Sequence, residues 1–116
     1  MKYMLLVYDN PASWTDITEE QMKDLYAEYA AVSNDPATVD SNQLAPIDTA
    51  KTVRVKNGET LTTDGPFAET KEHLGGYYLI EADSLDEAIE WAARIPSARG
   101  GTIEIRPTVD HSGGAS

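Results

Sequence analysis

Between Thr63 and Gly76 the chain reads TDGPFAETKEHLGG, a turn followed by a cluster of ionisable side chains. Asp64, Gly65 and Pro66 are turn formers for separate reasons. Asp bonds the backbone ahead of it, Gly accepts an unusual φ, and Pro fixes its own. Such a turn either redirects the chain or holds the Asp64 carboxylate rigidly against a cleft. If the residues after it wind into a helical turn, Glu69 and His73 stand at i and i+4 on one face. A carboxylate beside an imidazole orients the ring and raises its basicity, which a general base requires. Asp64 and His73 are therefore the candidate catalytic residues, handling protons on a small organic molecule. Glu69 and His73 are also potential metal ligands, but no third ligand accompanies them, so neither a metal nor a cofactor is expected. The plainer alternative is a solvated face in which Lys71 pairs with Glu69 or Glu72, worth ~0–1 kcal/mol.

Around these two stand residues assigned to ligand binding or to an interface: Gly65, Pro66, Phe67, Glu69, Lys71, Glu72 and, from the last strand, Arg106. Phe67 is the sole Phe of the chain and is expected to plug the segment into the core or into a second subunit. Arg106 either binds an anionic ligand or pairs with Glu104, and the pairing is preferred. His111 is read as incidental. No Gly-rich phosphate loop, nucleophile elbow or His-rich metal motif occurs.

The elements that must position these residues follow from periodicity. KYMLLVY (Lys2 to Tyr8) and GGYYLIE (Gly75 to Glu81) are apolar on both alternating sets, the mark of central strands covered on both faces. GTIEIRP (Gly101 to Pro107) has one apolar face, Ile103 and Ile105, and one polar face, which suits an edge strand. Two helices are predicted. The first spans about Glu19 to Val32, with Thr18 and Gln21 as a capping box and Met22, Leu25, Tyr26 and Tyr29 as a core stripe. The second spans about Leu85 to Arg94, with Ser84 and Glu87 as a capping box, Leu85, Ala88, Ile89 and Ala92 as its stripe, and Pro96 after it. A short strand is expected near Val39 to Ala45. KTVRVKNGETLTTDG reads as a hairpin around Asn57-Gly58. Burial favours a three-residue loop with Gly58 left-handed in a bulge, because that places Leu61 opposite Val53.

Without the hairpin the order is βαββαβ, the split ferredoxin-like arrangement. The predicted class is α+β, ferredoxin-like, with an inserted β-hairpin. Both helices then cover one sheet face, and the apolar residues on the other call for a partner. A second copy of the chain is the simplest cover, so a homodimer is expected. One domain, residues 1–109, with a disordered tail, 110–116, accounts for the 116 residues.

Nine Lys and Arg against 20 Asp and Glu give a net charge of −11. That balance excludes a nucleic-acid partner and an anionic membrane surface. No apolar run is long enough to span a bilayer. The chain has no cysteine, so disulfides and thiolate chemistry are absent, and a cytoplasmic location is expected.

The nine residues DGPFAETKE (Asp64 to Glu72), followed by LGGYYLIE, DEAIEWAARIP and GTIEIRP and preceded by KYMLLVY, resemble the DGPF group of YCII-related proteins. The likeness runs to Pro107. It implies a ferredoxin-like fold that dimerises into an α/β barrel. Some relatives are dehalogenase-like enzymes, or have a proposed His–Asp pair in the dimer cleft. DGPF members are often encoded beside extracytoplasmic-function sigma factors, and for most no activity is established. The YCII enzymes carry a His at the start of the first helix, where this chain reads TEEQMKDLY. Three readings stand: a ligand or substrate cleft built by the DGPF segment, a non-catalytic module that contacts a sigma factor, or a purely structural motif that closes the barrel across the dimer.

Overall fold

A computed structural model describes residues 1–68 and 70–110, without the side chains of Ser13 and Trp14. Glu69 and the tail from His111 onward lie outside the described residues. Six strands form, β1 (Lys2–Asp9), β2 (Thr38–Gln43), β3 (Lys51–Lys56), β4 (Glu59–Asp64), β5 (His73–Glu81) and β6 (Thr102–Pro107). Three α-helices accompany them, α1 (Glu19–Ser33), α2 (Leu85–Ala92) and the single turn α3 (Ser97–Gly100).

The main sheet has the order β2-β5-β1-β6. Every neighbouring pair is antiparallel. This is a mixed α+β arrangement compatible with a ferredoxin-like fold. β1 and β5 are central and β6 is an edge, as their two-faced and one-faced patterns predict. Tyr3, Leu5 and Val7 of β1 and Tyr78 and Ile80 of β5 point to the helix side and are buried with Val32, Ala88, Trp91, Ala92 and Ile95. Trp91 stands edge-on to Tyr78, with ring centroids 5.6 Å apart. Met4, Leu6, Tyr8, Tyr77 and Leu79 alternate to the other face and remain half-buried.

α1 starts on the expected capping box. Thr18 Oγ1 accepts from Gln21 N–H at 3.1 Å, and Gln21 Oε1 accepts from Thr18 N–H at 2.9 Å. At α2 only half of the box forms. Ser84 Oγ accepts from Glu87 N–H, but the Glu87 carboxylate reaches back to Asp83 N–H instead of Ser84. α2 also ends two residues earlier than its periodicity indicates, and the chain then turns through Ile95 and Pro96 into α3. The stripes are less buried than read: Leu85 and Ile89 are exposed, and so is Tyr26.

β3 and β4 form their own two-stranded sheet. Its register corrects the bulged hairpin. Lys56 faces Glu59 and Arg54 faces Leu61, so the loop is the two residues Asn57-Gly58. Both have positive φ, 52° and 80°, the geometry of a type I′ turn whose twist matches the strands. The burial argument for the other register fails because the hairpin has no buried face. Val53 is 59% exposed, Val55 70% and Leu61 45%.

Candidate functional site

Asp64 and Gly65 close the base of the hairpin. The Asp64 carboxylate forms an ion pair with Lys51 Nζ across the last rung. Gly65 N–H donates to the Ala50 carbonyl at 2.8 Å, and Thr52 Oγ1 donates to the Gly65 carbonyl at 2.8 Å. Gly65 adopts a φ of +94°, a region that side-chain-bearing residues avoid. Pro66 and Phe67 follow in the open, and Phe67 is 82% exposed, so it does not plug into its own chain's core. No helical turn forms among the described residues of the segment. Thr70 donates to the Glu72 carbonyl, and His73, half-buried as the first residue of β5, sets Nε2 2.9 Å from the Thr70 carbonyl oxygen. Glu72 Oε1 accepts from Thr102 Oγ1 at 2.7 Å, which ties the segment to β6. Lys71 is exposed. Arg106 Nε donates to Glu104, the pairing preferred above. Among the described residues, no hydrogen bond or ion pair joins Asp64 to His73.

A cavity of about 470 Å³ lies elsewhere, under the face of α1 that runs from Met22 to Ser33. Its roof is the stripe Met22, Leu25, Tyr26 and Tyr29. Its floor is β2, β5 and the end of β1, where the sequence supplies little bulk: Ser41, Gly75 and Gly76 stand beneath the helix. That combination opens the space. α1 is pinned at its C-terminal half, where Val32 is buried, Tyr29 hydroxyl bonds Ser97 Oγ, and Glu28 pairs with Arg99 at 2.9 Å. The residues read as a core stripe therefore line a cavity.

The floor also has a bulge. Val7 faces Gly76 and Tyr8 faces Leu74, so Gly75 is the extra residue of β5. Bulges of this kind re-aim neighbouring side chains and occur beside active sites. Beside the bulge stands Asp9, which continues the Tyr3, Leu5 and Val7 alternation on the helix side at the end of β1. Its Oδ1 is buried and has no hydrogen-bond partner. A methyl group on Gly75 would lie 3.0 Å from Asp9 Oδ2, and one on Gly76 would lie 2.7 Å from the Asn42 carbonyl oxygen. Gly75 thus makes room for the carboxylate, and Gly76 lets β2 approach. The Tyr29 phenol is pushed above its ordinary value, first by burial, against the pull of the Ser97 hydrogen bond, and further by the negative charge of Asp9.

None of the described residues from Asp64 to His73 lines this cavity, whereas Gly75 and Gly76, the last two residues of the same stretch, do. Sequence reasoning passed over Asp9. The available signal was a carboxylate at the end of a two-faced apolar strand, a place where burial is costly without a partner. Among the described residues no group of three or more His, Cys, Asp or Glu is placed to hold a metal ion. Among the described residues no helix is long and apolar enough to cross a membrane.

The family model of the YCII-related domain matches residues 1–112. A relative 38% identical over 113 residues, covering 92% of this chain and 91% of its own, is an uncharacterized protein of Rhizobium meliloti (strain 1021). The chain belongs to the YCII-related family.

Proposed function

We propose that the protein is a homodimeric α/β-barrel protein that binds a small organic molecule in the cavity between α1 and the sheet. The observation that carries this reading is the cavity itself, with Asp9 in its lining and one oxygen of that carboxylate buried without a hydrogen-bond partner. Its volume falls within the ~300–1,000 Å³ common for small-molecule sites. A buried acceptor without a donor costs about 1–3 kcal/mol, and a ligand that supplies the donor recovers it. In this reading the ligand site lies on the helix side of the sheet, and the DGPF segment serves the contact between subunits. Asp64 and His73 then hold the segment's conformation through Lys51 and Thr70 and carry no proton chemistry.

The test is a fragment screen by amide chemical-shift mapping on the full chain. Hits that move the Ser41, Gly75 and Gly76 amides support the cavity. Hits confined to Gly65, Pro66 neighbours and His73 restore the DGPF cleft as the site, and a screen with no hits removes the small-molecule reading. A second reading, a regulatory module for an extracytoplasmic-function sigma factor, draws support from the net charge of −11 and the exposed hairpin. Failure of a sigma factor to be retained on the immobilised protein at low salt counts against it.

A further inference from the structure

The ligand's chemical class can be read from the same cavity, and this step rests on the small-molecule reading above. Asp9 is the sole carboxylic acid among the described lining residues, and no Lys, Arg or His accompanies it. An anionic ligand would meet a carboxylate with no counter-charge, inside a chain of net charge −11. A neutral ligand with a hydroxyl would donate to the Asp9 carboxylate but leave its charge uncompensated. An ammonium does both, because it donates to the carboxylate and neutralises it. Tyr26 and Tyr29 on the roof and Tyr78 on the floor add ring surfaces to the same space. Aromatic faces attract cations through their quadrupole, most strongly where water is excluded. The apolar remainder, Met22, Leu25 and Val7, suits a hydrocarbon or aromatic body. A metal cation is disfavoured by the donor set, since one carboxylate and tyrosine rings do not make a coordination sphere.

From this convergence we infer that the cavity takes a small organic ammonium, an amine carried on an aromatic or aliphatic body, with its nitrogen on the Asp9 carboxylate. Recognition couples one charge-assisted hydrogen bond to the tyrosine faces, and the body lies along the α1 stripe.

Three probes of one shape test it by titration calorimetry on the full chain: tyramine, tyrosol and 4-hydroxyphenylacetate, which differ in carrying an ammonium, a hydroxyl and a carboxylate. Tyramine is expected to bind about tenfold to a hundredfold more tightly than tyrosol, the range of a charge-assisted hydrogen bond, and the acid is expected not to bind. Asp9→Asn keeps the shape, removes the charge and should erase the preference. Tyr26→Leu, at the open rim of the roof, should weaken tyramine by about two- to fivefold more than it weakens tyrosol. Equal affinity for the amine and the alcohol, or a preference that survives Asp9→Asn, overturns the ammonium assignment while leaving the cavity as a ligand site. No binding by any of the three, with no movement of the Gly75 and Gly76 amides, overturns both. Should Asp9→Asn fail to fold, the probe series on the native chain and the Tyr26→Leu comparison still decide the matter.

Discussion

Asp9 ends β1 with one carboxylate oxygen buried and unpartnered, a placement that works against folding and is retained beside a cavity. Sites that need a strained or unsatisfied group commonly give up stability for it. Asp9→Asn removes the charge without changing the shape, so it should raise stability by on the order of 1 kcal/mol while abolishing selection for a cationic ligand. A urea midpoint that falls in the variant contradicts this account. The neighbouring glycines separate two roles. A side chain at Gly76 meets backbone, the Asn42 carbonyl at 2.7 Å, which cannot swing aside. Gly76→Ala should therefore cost about 1–3 kcal/mol and loosen β2 from β5. A side chain at Gly75 meets only the Asp9 carboxylate at 3.0 Å. Gly75→Ala should leave the urea midpoint nearly unchanged and shift ligand affinity instead. Equal loss of stability in the two variants would show that the bulge is a packing feature only.

At the scale of elements, the core strands were legible in the sequence because their pattern is set by burial on two faces. β1, β5 and β6 fall where periodicity places them, and Thr18 and Gln21 fix the start of α1. The hairpin register was not legible by the same reasoning. Its strands touch no core, so only the turn chemistry of Asn57-Gly58 specifies it, and that chemistry calls for two residues. The cavity was hidden for a related reason. A helical stripe announces an apolar face but not what lies opposite, and the small floor residues come from β2 and β5, far along the chain. One contact between elements has a pH signature. Asp35, just beyond α1, accepts from Ala37 N–H and from Arg94 beyond α2, whose Nη1 is 2.9 Å away. These bonds, the backbone one first, hold its carboxyl below the ordinary carboxylate value. Because the folded value lies below the unfolded one, the stabilisation is fully present above the unfolded value of about 4. It is lost as pH falls through the folded value. Asp35→Asn should lower the urea midpoint at about pH 6 and converge with the native chain toward about pH 3. A midpoint difference that is constant across this range would remove Asp35 from the acid response.

For the whole molecule, one layer of helices covers one side of the sheet, and the chain is only 19 Å thick against 48 and 46 Å in the other directions. Its radius of gyration is 16.5 Å, where a compact chain of this length has about 13 Å. It exposes 8243 Å², against about 6,200 Å² for a compact monomer of its mass. The uncovered face supplies Met4, Leu6 and Leu79, flanked by a polar set in which Tyr77 hydroxyl donates to Asp40 and accepts from Asn42, both at 2.8 Å. Apolar residues in the middle with satisfied polar groups at the rim are the anatomy of an interface. Phe67 stands exposed at the foot of the hairpin. Two copies meeting through this face would close two sheets into a barrel and leave each α1 cavity on the outside, open to its ligand. Sedimentation should therefore give twice 12.7 kDa for the native chain. Leu79→Glu, which buries a charge at the centre of the contact, should give monomers. Phe67→Ser should weaken the dimer without unfolding the subunit, because the ring touches nothing in its own core. In each variant the cavity probes should still bind, since neither residue lines the cavity. Loss of ligand binding together with the dimer would mean instead that the partner subunit completes the site. A native chain that sediments as a monomer would leave the open face without a second copy to cover it.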